Sequence, residues 1–376
     1  MQLIRRYRYE ILVTALWAVT VAAKIKFDGL VFGFDYGVYQ PDGKFYTYMA
    51  LDFFNHNPAD SAKQVVDWYA IHGFKMNTFT IQDLMPSTSY AYPVISHRIL
   101  YPLLSAPFVA MLGIPGMLVI PALSLLVLML SVQKISVIAK KPLVGLIIVL
   151  ALSNSSTVIR WMIVNCTDSL LAGLFALVPF CLFGILGKNR IALFGLATLI
   201  VLTSATRFIL PVWLAILFVL FMKKIYRKEM LILGILSVVS SIPALSAQLS
   251  TALLPASTST PTYLKILQLP IVFAKVVAVD ILEFGVLDRV LLLLLVITSV
   301  QAIRLRKNLS SMLFWAVLTS TYLIGAINGT LGVNFRYQMP VLVFCAWVLI
   351  DSFEVSGGGL RLVPPIKRDV IINKAK

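Results

Sequence analysis

The chain has 376 residues, of which 59% are apolar and only 13% charged, with a formal net charge of +16. Its mean hydropathy is +0.91. Soluble domains carry about 25% charged residues and a largely polar surface, so this composition excludes a soluble enzyme, a secreted disulfide scaffold and a disordered tail. It reads as an all-α polytopic membrane protein. The three cysteines, Cys166, Cys181 and Cys345, are widely separated and show neither a disulfide framework nor zinc spacing. The positive charge would suggest nucleic acid in a soluble chain; here it reports topology, and no nucleic-acid partner is expected.

A span needs about 20 mostly apolar residues. Ten stretches qualify with ragged ends: 10–26, 116–138, 142–159, 168–187, 191–206, 208–222, 229–250, 289–303, 312–330 and 337–353. Two more, 99–113 and 262–288, are ambiguous. The basic clusters are Arg5, Arg6 and Arg8; Lys134, Lys140 and Lys141; Lys188 and Arg190; Lys223, Lys224, Arg227 and Lys228; Arg304, Arg306 and Lys307; and the tail from Arg361 to Lys376. They fall on one side only if both ambiguous stretches fail to cross. Those stretches are therefore expected to lie in the outer interface or to re-enter, and Pro102, Pro107, Pro261 and Pro270 suit broken helices. Both termini are then cytoplasmic. The first span lacks a small-residue cleavage site and reads as uncleaved. One transmembrane domain is expected over 1–353, followed by a cytoplasmic tail over 354–376.

The outer side carries the chemistry. Its first loop, 27–97, holds seven of the sixteen acids and all three histidines, His56, His72 and His97, among dense aromatics. Such a loop is too long to be a plain connector, and its content fits interfacial helices. Within it, Pro41-Asp42-Gly43 is a turn by composition, and 44–52 can form a helix along the interface. Asp42 would sit at that helix's N-terminus, a position that also suits a capping aspartate. Four arginines, Arg98, Arg160, Arg207 and Arg336, lie at or below outer span ends. A charge at that depth faces a cavity or a partner, or snorkels to headgroups, and arginine forks suit phosphate. The run 191–222 supplies 32 residues for two crossings, so the turn Thr203–Arg207 must dip below the outer surface. The isolated histidines argue against a metal site. Asn154-Ser155-Ser156 and Asn328-Gly329-Thr330 match the glycosylation acceptor pattern but sit at span ends. No phosphate-binding glycine loop and no internal repeat occurs; the missing repeat weighs against a transporter.

A basic N-terminus, one span and a long outer loop opening on an aspartate and a tyrosine-rich helix resemble the plan of GT-C-fold membrane glycosyltransferases. The segment Asp42-Gly43-Lys44-Phe45-Tyr46-Thr47-Tyr48-Met49-Ala50-Leu51-Asp52 resembles the DGxxYYxxAxD segment of a bacterial family linked to cell-surface glycopolymer formation. His97-Arg98-Ile99-Leu100-Tyr101-Pro102-Leu103-Leu104 resembles that family's RILYPLL segment. Weaker likenesses are Asn165–Asp168, Thr206–Pro211 and Asn334–Pro340. The chain departs from the common paired acids: Asp35 and Asp42 are seven residues apart, which leaves the base open between them.

The resemblance implies a sugar transfer at the outer face of a bacterial cytoplasmic membrane. A polyprenyl-phosphate-linked sugar, a hexose or a pentose, would pass to a cell-envelope glycan or lipid acceptor, with inversion. Asp42, or alternatively Asp35, would be the base. Arg207, Arg336, Arg98 and Arg160 would hold the donor phosphate. Tyr46, Asp52, His97, Asp168 and Tyr337 would line the substrate site. The class admits a divalent metal, although no residue pattern demands one. A glycolipid transporter (flippase) and a non-catalytic assembly subunit are the competing expectations.

Overall fold

The computed structural model describes residues 7–31, 42–55, 57–71, 80–86, 89, 92–252, 262–327, 335–356 and 359–362. Among them the architecture is helical, apart from one antiparallel hairpin, β1 (Phe353–Ser356) and β2 (Gly359–Leu362). The helices follow in chain order as α1 (Arg8–Val31), α2 (Gly43–Asn55), α3 (Pro58–Ile71), α4 (Ile81–Leu84), α5 (Tyr92–Ser96) and α6 (Leu100–Leu112). Next come α7 (Val119–Ile138), α8 (Pro142–Asn154), α9 (Ser156–Met162), α10 (Thr167–Phe175), α11 (Val178–Leu186), α12 (Ile191–Ser204) and α13 (Leu210–Met222). The last are α14 (Arg227–Ala252), α15 (Thr262–Leu287), α16 (Arg289–Arg304), α17 (Leu309–Ile327) and α18 (Leu342–Ser352).

Among the described residues four stretches are long and apolar enough to cross a membrane: Ile114–Ile138, Thr167–Leu186, Arg227–Ala247 and Leu309–Ile327. The bent pair α8–α9 makes a fifth if it counts as one span. This is the character of an all-α membrane protein. Long hydrophobic side chains such as Ile147, Phe218, Ile232 and Leu293 stand exposed on the outside of the bundle. In water that surface would aggregate; against lipid tails it costs nothing. By contrast α18 is buried on every side, from Leu342 to Ile350, which makes it the central post of the core.

Three segments differ from their sequence reading. The stretch 262–288 is no broken helix: α15 runs for 26 residues straight through Pro270. Likewise α6 continues through Pro107. Conversely, the expected span 142–159 is not straight. It bends by 79° at Ser155. Asp288 accounts for the bend: its Oδ2 accepts from Ser155 Oγ at 2.6 Å and from the Thr157 amide at 2.8 Å, and its Oδ1 accepts from the Leu291 amide at 3.0 Å. One carboxylate thus satisfies orphan donors at the starts of both α9 and α16, the usual task of an N-cap aspartate.

The helix expected over 44–52 is present as α2. Its first turns are buried from Gly43 to Ala50, while Phe53 and Phe54 are exposed. It packs against α6. The ends of α2, α6, α9, α10, α12 and α13 converge at one end of the bundle. The basic clusters at Lys140, Lys188 and Lys223 lie at the opposite ends of α7, α11 and α13.

Candidate functional site

Asn165 fastens the first loop to the bundle. Its Nδ2 donates to Thr47 Oγ1 at 3.0 Å and to the Gly43 carbonyl at 3.3 Å. Its Oδ1 lies 2.9 Å from the Tyr101 hydroxyl, which also reaches the Met117 carbonyl at 2.7 Å. The approach is so close that a Cβ on residue 43 would stand 2.8 Å from the Asn165 carbonyl oxygen. Glycine after Asp42 is therefore a packing requirement, and the clamp delivers Asp42 to the start of α10. A second tether, from the Leu100 amide to the Ala205 carbonyl at 3.2 Å, brings the His97–Arg98 segment to the turn carrying Arg207.

These tethers assemble a charged cluster from segments far apart in sequence. Arg336 bridges two acids: Nη2 donates to Asp42 Oδ2 and Nε to Asp168 Oδ2, each at 2.7 Å. Arg207 Nη1 pairs with the other oxygen of Asp168. The Cys166 thiol also reaches Asp168 Oδ2, at 2.9 Å. Arg98 Nη1 donates to the Tyr46 hydroxyl at 2.9 Å. Aromatic faces complete the enclosure: the Arg207 guanidinium lies 3.9 Å from the centre of the Tyr337 ring, and that of Arg336 lies 5.2 Å from Trp161. Such contacts suit arginine, whose planar, weakly hydrated head tolerates desolvation.

Three arginines face two carboxylates, so the cluster holds one positive charge in excess. The surplus falls on Arg98, which donates to the neutral hydroxyl of Tyr46 and whose Nε is buried without a hydrogen bond among the described residues. The two acids differ in access. The Asp168 side chain is 1% exposed and that of Asp42 is 36% exposed. Burial alone would raise the Asp42 pKa, but the charges of Arg336, Arg98 and Arg207 and the Arg336 hydrogen bond together hold it below the usual carboxylate value. Asp42 is accordingly ionised at neutral pH.

Comparison with known proteins finds no match: no family model fits the chain, and no curated protein or solved structure is similar to it. The site must be read from its own chemistry.

The structure brings together Asp42, Tyr46, Arg98, Asp168, Arg207, Arg336 and Tyr337. It does not bring Arg160 into the ion-pair network; its guanidinium lies half-buried over the ring of the next residue, Trp161, at 5.5 Å. Asp52 lies ten residues along α2 from Asp42, about 15 Å away, near Tyr48 and Tyr92. Asp35, His56 and His72 lie outside the described residues. Trp161 carries no periodic or motif signal that would have singled it out, whereas Tyr101 stands in the RILYPLL-like segment without a role assigned to it there. A metal ion finds no ready-made seat among the described residues. Among the described residues no three acid, histidine or cysteine side chains group to hold one, and arginines already occupy both oxygens of Asp168.

His97 is held neutral. Burial, first, and the charges of Arg98 and Arg207, second, push its pKa down to about 4 from 6.5. Both ring nitrogens are buried without a hydrogen bond among the described residues. As pH falls below 6.5 the unfolded chain takes up this proton while the folded one resists until about 4, so His97 subtracts stability across that window. Thermal unfolding of the wild type should therefore fall more steeply between pH 6.5 and 4.5 than that of His97→Gln. Parallel curves would show that the imidazole is not desolvated.

Proposed function

We propose that the chain is a GT-C-like membrane glycosyltransferase that moves a sugar from a polyprenyl-phosphate donor to a cell-envelope glycan or lipid acceptor. The observation that supports it most is Arg336 bridging Asp42 and Asp168 in a cluster with one excess positive charge. Preorganised guanidinium donors are what a leaving phosphate needs as its charge grows. Asp168 is too deeply buried to meet substrate, and its role is to align Arg207 and Arg336. Asp42 is the accessible acid and takes the proton from the acceptor hydroxyl. That oxygen attacks the anomeric carbon, the bond from carbon to phosphate oxygen breaks, and polyprenyl phosphate leaves with the electron pair. One displacement gives inversion. A phosphate that draws Arg336 toward itself also loosens the pair with Asp42 and raises its basicity.

The reading includes ten crossings of a bacterial cytoplasmic membrane, both termini inside and the cluster facing outward. The helices α12 and α13 have 14 and 13 residues, about 20 Å each, against a hydrocarbon core of about 30 Å. Starting from the basic clusters inside, they leave Arg207 below the outer surface. Reporter fusions should place 60–90 outside and 223–228 inside; an outer signal at Lys140 would contradict the count.

The pairing of Asp42 with Arg336 also suits a subunit that binds a lipid phosphate without turning it over. A flippase is the third reading. Phosphate recognition is tested by titrating the purified protein in nanodiscs with polyprenyl phosphate and with the neutral polyprenol. Binding that requires the phosphate is expected; equal binding of both would remove the arginines' proposed task.

A further inference from the structure

We propose that Asp280, on α15, is a positioning residue for Arg336, acting through the backbone of Phe335; this rests on the reading of the arginine cluster as a phosphate seat. Asp280 is 1% exposed and belongs to neither the ion-pair cluster nor any motif. Its carboxylate faces the Tyr322 hydroxyl on α17 and the backbone amide of Phe335, while its Oδ1 is buried with no hydrogen-bond partner among the described residues. An acid buried in a membrane protein costs enough to demand a task, and here it faces the residue immediately before Arg336.

Phe335 needs holding. Its φ is +66°, in the left-handed region that bulky side chains avoid, and such a conformation persists only where its surroundings over-determine it. Phe284 lies one helical turn from Asp280, on the same face of α15. Its ring packs edge-on against the fully buried Phe335 ring at 5.6 Å. Asp280 thus grips the backbone and Phe284 the side chain. The Gln338 amide closes the turn on the Phe335 carbonyl at 3.1 Å. The turn then presents two consecutive groups to the cluster, Arg336 to both acids and Tyr337 beneath Arg207. A guanidinium that must meet two carboxylates at once tolerates little rotation of its backbone, so a slack turn would misplace it.

Two measurements decide the matter. Hydrogen exchange of the full-length protein in nanodiscs reads the anchor by itself: Asp280→Ala should lose protection at 335–338, whereas Asp280→Asn, whose carbonyl oxygen can still accept, should keep most of it. Unchanged exchange in Asp280→Ala would overturn the anchor. Polyprenyl phosphate affinity across Asp280→Ala, Arg336→Ala and the double variant reads the coupling. Asp280→Ala should weaken binding about tenfold in the wild-type background and less than about twofold beside Arg336→Ala. Equal factors in both backgrounds would mean that Asp280 acts only on the fold, and would overturn the positioning role. A wild-type protein that binds no polyprenyl phosphate would remove the proposed function, and the positioning role with it, while exchange would still decide whether Asp280 holds the turn.

Discussion

Asp42→Asn is expected to lower glycosyl transfer by about 10²–10⁴-fold while the protein folds and inserts normally. The amide keeps the size of the side chain, still offers Arg336 an acceptor oxygen, and can still cap a helix. It cannot take a proton at neutral pH. Because the neighbouring arginines hold the Asp42 pKa below the usual carboxylate value, the wild-type group stays ionised from neutrality down through mildly acidic pH. Its ion pair likewise contributes stability above the ordinary carboxylate pKa and loses it only as pH falls through the lower folded value. The acid limb of the kcat/KM profile, which reports the free enzyme, should therefore lie below the ordinary carboxylate range, and a limb near neutrality would implicate another group. Asp35→Asn is the companion variant, since the sequence leaves the base open between the two acids. Near-normal rates in both would defeat the mechanism.

Asp168→Ala should instead destabilise the protein by about 3–5 kcal/mol, as removing one partner of a buried ion pair does. Asp168 is 1% exposed and takes hydrogen bonds or ion pairs from Arg207, Arg336 and Cys166. Arg207, itself 4% exposed, has that acid as its only carboxylate partner among the described residues. Without it a guanidinium is left charged in a site that excludes water, and the packing on Tyr337 cannot replace a counter-charge. Thermal unfolding in detergent should show a large drop for Asp168→Ala and a small one for Asp42→Asn, whose side chain is 36% exposed. Equal, small shifts would mean that the cluster is more hydrated than its geometry implies.

The contrast between these acids shows what could be read in the residues. Asp42 was legible because turn chemistry marks it and a helix follows. The turn carrying Arg207 was legible from length alone, since the run 191–222 holds two short apolar stretches, and the structure turns between α12 and α13 around that buried residue. The bridging role of Arg336 was not legible, because it joins residues 168 and 294 positions apart. The bend at Ser155 was hidden for the same reason: Asp288, 133 residues away, supplies the acceptor. Proline misled in the other direction. Pro270 and Pro107 suggested broken helices, yet α15 and α6 continue through them. A missing amide hydrogen bond is tolerable where neighbouring helices hold the backbone in place. Asp280 was not legible because it and Glu283, in an apolar stretch, carry no motif; only the fold shows that Asp280 faces Tyr322 and the amide of Phe335.

On the proposed mechanism the cluster turns over a lipid-linked sugar rather than merely binding one. Purified protein in nanodiscs should be given a radiolabelled polyprenyl-phosphate sugar and a cell-envelope acceptor fraction, and the label leaving the lipid should be followed with time. The wild type should transfer the label with inverted anomeric configuration, and Asp42→Asn should bind donor almost as the wild type does but transfer almost none. Saturable donor binding by the wild type with no label leaving the lipid would contradict it, and would leave a phosphate-binding subunit as the function of this site.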